Sequence, residues 1–135
     1  MMRYGENYYF IYPDGQVLSA VWLNSNMDNG MYNQNNVFGT REEALLESER
    51  RALIARIQRF RDECNASEKQ LDWKNFSQDK YFISYDSSNE YLFVSNNRVT
   101  NNLNLFGHFV THDSADAAIK MFGSEIKKLF IEVEK

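Results

Sequence analysis

Five arginines on one predicted helix form the densest group of side chains that could bind an anion. Arginine binds phosphate and carboxylate groups through paired hydrogen bonds. Helical spacing places Arg50 and Arg61 near the edge of the apolar stripe, where they could line a cleft. The alternative is a solvated helix face, on which the arginines pair with neighbouring acidic residues. The arginines are Arg50, Arg51, Arg56, Arg59 and Arg61, and the acidic residues are Glu47, Glu49, Asp62 and Glu63.

A second candidate site combines aromatic and amide side chains around an Asn-rich segment. Its members are Trp22, Tyr32, Asn35, Asn36 and Phe38. Aromatic faces stack on flat ligands such as nucleobases, and amides bond to the edges of those ligands. The alternative is structural, with the large aromatics in the core and the asparagines holding turns. If a ligand binds, we predict contacts from Trp22, Tyr32, Asn36, Phe38, Arg50 and Arg61.

Residues that commonly perform catalysis do not form a recognisable set. The two histidines, His108 and His112, with one cysteine and scattered carboxylates, do not complete a zinc site. Acid–base chemistry by His112 and Asp113, or nucleophilic chemistry by Cys64, lacks a third partner. The cysteine lies on the apolar stripe, where a small core residue is expected. With no Gly-rich phosphate loop, G-x-S-x-G, H-E-x-x-H or C-x-x-C motif, we predict a non-enzymatic protein with no catalytic residue, cofactor or metal.

Composition narrows the class of protein and its partners. The 135 residues include 43% hydrophobic residues and carry a net charge of −4, which suits one domain over 1–135 with a packed core. An acidic chain argues against duplex nucleic acid, because such binding depends on neutralised phosphates. One cysteine cannot form an internal disulfide, and the sequence shows no apolar leader or membrane-spanning run. We expect a cytoplasmic protein without membrane association, in which the sequons at Asn65 and Asn75 are accidental.

The elements that must position these residues follow a repeated pattern. The motif F-x-T-x-x-x-A occurs at 38–44 and again 71 residues later at 109–115. Each copy lies about 28 residues after the triplet Tyr-Phe-Ile, at 9–11 and 81–83. Because repeats at a fixed spacing indicate duplicated structural units, we predict a diverged internal duplication.

The first predicted unit covers residues 7–64. A hairpin of strands 8–12 and 17–22 turns at Pro13-Asp14-Gly15-Gln16. We expect a long surface loop over 24–36, then a short strand at Val37-Phe38. Thr40 and Glu43 form a predicted capping box that begins a helix from 41 to about 64. Its expected buried stripe is Leu46, Leu53, Ile57, Phe60 and Cys64.

The second predicted unit covers residues 80–130 and follows a polar connector, 65–79, whose Trp73 and Phe76 are expected to dock on the core. We predict strands 80–86 and 90–95, an Asn-rich loop over 96–104, and a strand over 107–111. Asp113 or Ser114 then caps a helix that runs to about 122. Gly123 is expected to end that helix, and residues 124–130 are helical again.

Together these predictions describe an α+β fold of two β-β-loop-β-α units, in which antiparallel sheet packs on helices. A ligand is expected in the cleft between the two halves or between subunits. An exposed edge strand of a small sheet is readily covered by a symmetry mate. We therefore expect a homo-oligomer with an even number of subunits.

The run from Tyr8 to Ala44, ending in N-V-F-G-T-R-E-E-A, resembles a group of small bacteriophage and prophage proteins without assigned function. The second half matches less closely, through 109–115 and 123–130. Where these proteins usually have Gly-Asn before the strand, this chain has Asn35-Asn36. The resemblance implies a protein that acts in the bacterial cytoplasm by binding and blocking a host or anti-phage defence component. It could do so by masking a protein or by sequestering a nucleotide immune signal.

Two alternatives come from other functional classes. A single-stranded nucleic-acid accessory protein would use exposed sheet aromatics such as Tyr81, Tyr85 and Tyr91, although the negative net charge disfavours it. A structural phage component would assemble without a ligand, but the sequence shows no coiled-coil or fibrous pattern.

Overall fold

The computed structural model describes residues 2–134, and these form two antiparallel strand pairs and three α-helices. The α+β class predicted from the sequence is confirmed. In chain order the elements are β1 (Asn7–Ile11), β2 (Val17–Val21), α1 (Asn26–Asn33), α2 (Arg41–Ala66), β3 (Lys80–Asp86), β4 (Tyr91–Asn97) and α3 (His112–Ile126), followed by a π-helical turn (Lys127–Ile131) and a 3₁₀ turn (Glu132–Glu134). The chain divides into two compact units, Met1–Ala52 and Leu53–Lys135, and the boundary falls within α2.

In the N-terminal unit, β1 and β2 form the predicted hairpin. Gly15 adopts a φ of +89°, which glycine tolerates because it has no Cβ. The Asp14 carboxylate accepts a 2.9 Å hydrogen bond from the Gln16 amide and closes the turn. The core of this unit consists of the buried side chains of Tyr8, Val17, Trp22 and Ala44.

The third strand expected in each unit is reduced to a single bridge. Phe38 pairs with Tyr9 in the N-terminal unit, and Phe109 pairs with Tyr81 in the C-terminal unit. Both phenylalanines open the repeated motif, and both tyrosines open the repeated triplet. The two units therefore use the duplicated residues for the same backbone contact.

The rest of the motif also has the same structural role in both copies. The hydroxyl oxygens of Thr40 and Thr111 each accept a 3.2 Å hydrogen bond from the amide three residues later, which caps the following helix. Ala44 and Ala115, four residues after each cap, are completely buried. The structure has two β-β-helix units, as the duplication predicted.

The prediction of a long surface loop over residues 24–36 is wrong, because most of this segment forms helix α1. Ser25 caps this helix in a reciprocal capping box with Asp28. Asn24 and Asn35 flank the helix with φ values of +57° and +55°, a left-handed conformation that asparagine adopts more readily than most residues. Asparagine and glycine have low helix propensity, so tertiary hydrogen bonds rather than propensity form this helix.

The C-terminal unit contains the second half of α2, the β3–β4 pair and α3. On α2, Leu53 and Ile57 are completely buried, whereas the half-buried Phe60 contacts Phe122 of α3 edge to face at 6.0 Å. Of the predicted stripe, Leu46 and Cys64 are also half-buried. The other core residues of this unit are Phe82, Ile83, Phe106, Phe109, Ala115, Ala118, Ile126 and Leu129.

Three local predictions in this unit are wrong. Thr111, and not Asp113 or Ser114, caps α3. Gly123 does not end the helix, which continues to Ile126, and the glycine is buried within it. Phe76 is 60% exposed and does not dock on the core. Trp73 does, as predicted, because its ring packs on the buried His108 ring with a centroid distance of 4.9 Å.

Candidate functional site

The candidate site is an open groove of about 700 Å³ in the N-terminal unit. The hairpin turn, α1 and α2 border it. Its apolar lining consists of Phe10, Ile11, Tyr12, Pro13, Met27, Met31 and Ala52, and its polar lining consists of Asp14, Gly15, Asn36, Ser48 and Arg51. All of these residues belong to the same compact unit, so the groove is complete within residues 10–52.

Three hydrogen bonds from two side chains hold the walls of the groove in place. The Ser48 hydroxyl on α2 donates a 2.6 Å hydrogen bond to the Gly15 carbonyl in the hairpin turn. The Asn36 amide accepts from the Ile11 N–H at 2.8 Å and donates to the Ile11 carbonyl at 2.9 Å, in place of a neighbouring strand. Because the backbone polar groups are paired in this way, this wall does not rely on a ligand for its hydrogen bonds.

A buried hydrogen bond positions α1, the wall that contributes the two methionines. The Tyr8 hydroxyl donates to Oδ1 of Asp28 at 2.5 Å, and Oδ2 accepts from the amides of Leu23 and Ser25 at 2.8 and 3.1 Å. The bond from Tyr8, followed by that from Leu23, lowers the pKa of Asp28 to about 2. Burial, followed by the bond to Asp28, raises the pKa of Tyr8. The pair is thus held as neutral tyrosine and ionised aspartate at neutral pH.

The exposed part of the lining is apolar and adaptable. Met27 is 72% exposed and Tyr12 is 50% exposed, while Met31, four residues after Met27, is half-buried. Methionine is unbranched and polarisable, and it is common on surfaces that adjust to different apolar partners. The groove therefore offers an adaptable rim above walls that hydrogen bonds fix.

Arg51 is the cationic member of the groove, and its guanidinium has partners within the same unit. Its Nε contacts the Glu47 carboxylate at 2.8 Å, and Nη2 donates to the Asn35 carbonyl at 3.2 Å. The Arg51 side chain is 41% exposed, so water screens the ion pair and the pair contributes little to stability. The contacts orient the guanidinium rather than leave it free for an anion.

The side chains predicted to bind a ligand do not gather around this groove. Asn36 lines it, but both ends of its amide are bonded to Ile11. Trp22 is buried and contacts the half-exposed Tyr32 edge to face at 6.3 Å. Phe38 is half-buried in its bridge to β1. None of the last three lines the groove.

The two predicted arginines also lie outside the groove lining. Arg50 is half-buried on α2. Arg61 belongs to the C-terminal unit, where its guanidinium donates to the Phe106 carbonyl at 3.3 Å and pairs with Asp62 at 2.8 Å. The structure therefore gives Arg61 a structural partner in the loop that precedes α3.

The sequence patterns did not indicate Tyr12, Met27 and Met31 as candidate site residues, and they did not separate Arg51 from the other arginines. The signal that could have revealed the methionines is the pair Ser25 and Asp28, which resembles a capping box. A helix beginning there places positions 27 and 31 on one face, because residues four apart are neighbours on a helix.

The tyrosines proposed for single-stranded nucleic acid do not share one sheet face. In the β3–β4 register, Tyr81 lies opposite Asn96, Tyr85 opposite Leu92, and Asp86 opposite Tyr91. Because side chains alternate between faces and opposed residues share a face, Tyr81 and Tyr85 lie on one side and Tyr91 on the other. The three rings therefore cannot form one stacking surface on this sheet.

The histidines pack against aromatic rings. Within the described part of the chain, no group of three or more His, Cys, Asp or Glu side chains is placed to hold a metal ion. His108 is buried between Trp73 and Phe82, and its Nε2 lies 2.9 Å from Oδ1 of Asn102. Burial, followed by the charge of Arg61, lowers the pKa of His108. His112 contacts the Tyr81 ring at 5.8 Å.

No helix among residues 2–134 combines the length and apolar character needed to cross a membrane. No protein-family model matches the chain, and comparisons with curated proteins and with solved structures likewise found no match.

Proposed function

We propose that this protein is a non-enzymatic, phage-type inhibitor that masks a host or anti-phage defence protein by binding an apolar segment of it in the N-terminal groove. The observation that supports this proposal is the exposed apolar rim of Met27 and Tyr12 on walls fixed by hydrogen bonds. The phage context rests on the resemblance of the segment from Tyr8 to Ala44. The cytoplasm of the bacterial host is the compartment that this context implies.

The lining favours a protein segment over a nucleotide. A nucleotide site needs donors for phosphate, but the groove's guanidinium, on Arg51, already faces the Glu47 carboxylate, which repels an anion. Small-ligand sites bury most of the ligand surface, whereas the Met27 side chain on this rim is 72% exposed. An extended partner can cover such a rim without being enclosed by it.

The apolar rim can account for a useful share of the binding free energy. Complete burial of a methionine side chain contributes roughly 1.5–3 kcal/mol relative to leaving it in water. Since Met27 is mostly exposed in the free protein, a partner that covers it gains most of this amount. A charge at position 27 removes that gain and must also be desolvated on binding.

The test compares Met27→Glu with Met121→Glu, which places the same change on an exposed methionine of α3 in the other unit. Tagged proteins are incubated with lysate of the bacterial host, and the proteins that the wild type enriches are then produced and titrated by calorimetry. We expect Met27→Glu to weaken binding of a true partner at least tenfold and Met121→Glu to leave it unchanged. Equal binding by all three proteins would refute the proposed site.

Native mass spectrometry of the freshly purified protein tests the nucleotide form of the proposal. A retained mass of nucleotide size, lost in Arg50→Ala, would favour sequestration over protein masking. The nucleic-acid alternative predicts binding of a single-stranded oligonucleotide that falls steeply with salt. With a net charge of −4, we expect no such binding at physiological ionic strength.

A further inference from the structure

The outer edge of β2 presents backbone hydrogen-bonding groups that the N-terminal unit leaves unused. The Tyr9 N–H and C=O bond to Phe38, on the side of β1 away from β2. Tyr9 lies opposite Ser19 in the register, so this is a non-hydrogen-bonded pair and the backbone groups of Ser19 point away from β1 as well. Because hydrogen-bonded and non-hydrogen-bonded pairs alternate, the backbone groups of Val17 and Val21, two residues away on either side, also point away from β1.

Among residues 2–134, no hydrogen bond reaches the outward N–H and C=O of Ser19 or Val21. At the other end of the strand, the Val17 carbonyl accepts from the Arg41 guanidinium at 3.3 Å. A carbonyl oxygen has two lone pairs, so this contact leaves room for a second donor. The edge of β2 is therefore open at Ser19 and Val21, and at Val17 the Arg41 guanidinium contacts it.

Soluble proteins usually guard such an edge with charged residues or proline, and β2 has neither. Every residue from Gly15 to Met27 is uncharged, in a chain where a quarter of the residues are charged. Leu18 and Val21 are 38% and 44% exposed, and the adjacent Leu23 is also exposed. A strand without charged residues of its own and with exposed apolar side chains fits a partner strand of the same character.

The residue types of β2 are symmetric about its centre. In Val17-Leu18-Ser19-Ala20-Val21, valines stand at both ends and small or aliphatic residues flank the serine. In an antiparallel pairing of two copies about a two-fold axis at Ser19, each Val21 lies opposite the partner's Val17 and each Leu18 opposite the partner's Ala20. Every exposed apolar side chain of the strand would then face an apolar side chain.

We propose that two copies of this chain pair through β2, antiparallel and with Ser19 opposite Ser19, to form one continuous four-stranded sheet. The outward groups of Ser19 exchange two hydrogen bonds with each other, and those of Val17 and Val21 exchange two at each end, as in any hydrogen-bonded antiparallel ladder. This interface is separate from the groove, so the proposal does not depend on the proposed function.

A charge-swap experiment tests both the interface and its register. In the proposed pairing, residue 19 of one copy lies opposite residue 19 of the other. Ser19→Lys therefore places two positive charges opposite each other, and Ser19→Glu places two negative charges there. Ser19 is exposed, so neither change disturbs the core. Sedimentation equilibrium should show a wild-type dimer and, for each variant alone, a dimer dissociation constant raised by up to about fivefold.

Mixing the two variants should restore the dimer, because the introduced lysine of one copy then faces the introduced glutamate of the other. The matched control is Asn96→Lys on β4, whose backbone groups point outward in the same way because its register partner, Tyr81, bonds to Phe109. The control should not change the dissociation constant. A wild-type monomer at every concentration, a dimer that ignores both charges at position 19, or a mixture as weak as the separate variants would overturn the proposal.

Discussion

Replacing Tyr8 with phenylalanine removes one hydroxyl group from the centre of the N-terminal unit. The ring stays buried against Phe10 and Trp22, at 6.1 and 5.9 Å, so packing is preserved. The change deletes the 2.5 Å hydrogen bond to Asp28. The carboxylate keeps its backbone donors from Leu23 and Ser25 but loses the side-chain donor that contributes most to its lowered pKa.

The expected loss of stability follows from the charged acceptor. Hydrogen bonds to charged groups contribute about 1.5–3 kcal/mol net, so we expect Tyr8→Phe to lower the free energy of unfolding by about 2 kcal/mol. For a chain of this length, that corresponds to a decrease in melting temperature of about 7 °C. Urea unfolding followed by circular dichroism measures the first quantity, and a thermal scan measures the second.

The pH dependence provides a second, independent check. Because the pKa of Asp28 is lower in the folded protein than in the unfolded chain, its ionised form stabilises the fold above about pH 4, and that contribution is lost as the pH falls towards 2. The stability difference between wild type and Tyr8→Phe should therefore be largest near neutral pH and shrink below pH 4.

Tyr32→Phe is the matched control, because it deletes the hydroxyl of a half-exposed tyrosine in the same unit. We expect it to change stability by less than about 0.5 kcal/mol. A Tyr8→Phe protein as stable as this control at pH 7 would refute the role of the hydrogen bond, as would a loss of unfolding free energy that is the same at pH 2.5 as at pH 7.

Four substitutions in the C-terminal unit provide the remaining predictions. Lys80 is completely buried, and its ammonium group donates to two backbone carbonyls at 2.7 and 2.8 Å. Lys80→Met leaves both carbonyls without that donor and should cost about 2–4 kcal/mol in urea unfolding, whereas the exposed Lys74→Met should cost almost nothing. The pKa of His108 is lowered by burial, so its neutral form stabilises the fold above about pH 6.5, and that contribution is lost as the pH falls through the lower folded-state pKa. The stability of His108→Gln should therefore vary less than that of the wild type between pH 7 and pH 5, and an unchanged pH profile would contradict this. Gly123→Ala should raise the melting temperature, because a Cβ there meets its nearest atom at 3.5 Å and alanine favours helix by up to about 1 kcal/mol. Gly107→Ala should lower the melting temperature, because φ is +80° and the added Cβ would fall 1.7 Å from the Arg61 side chain. A higher melting temperature for Gly107→Ala than for Gly123→Ala would contradict the packing at these two sites.

Sequence patterns predicted the elements that depend on local periodicity. The aromatic and β-branched run at 8–12 with the turn residues after it predicted the first hairpin, and the two strand-like runs at 80–86 and 90–95 predicted the second. The apolar stripe predicted α2 within two residues of its observed end. The repeated F-x-T-x-x-x-A motif predicted two related units, since threonine caps a helix and a small residue four positions later allows close packing. These are properties of single residues and their near neighbours.

The candidate site escaped prediction because it depends on α1, and α1 depends on a distant residue. Its sequence, N-M-D-N-G-M-Y-N, is typical of a loop by propensity alone. The hydroxyl that bonds to Asp28 comes from Tyr8, 20 positions earlier in the chain. Without that helix, Met27 and Met31 are isolated methionines rather than one wall of a groove.

The sequence by itself determined the class of the fold, the two β-β-helix units and the positions of the four hairpin strands and the long helix, because hydrophobic period and capping residues act over a few positions. Tertiary structure decided which side chains meet. In the folded protein Trp22 is buried, while Met27 and Tyr12 are exposed. The Asn36 amide bonds to the Ile11 backbone where a neighbouring strand would otherwise pair, and Arg61 donates to a loop carbonyl. The physical reason is that burial and hydrogen-bond partners depend on residues far apart in the chain, and helical or strand periodicity carries no information about those partners.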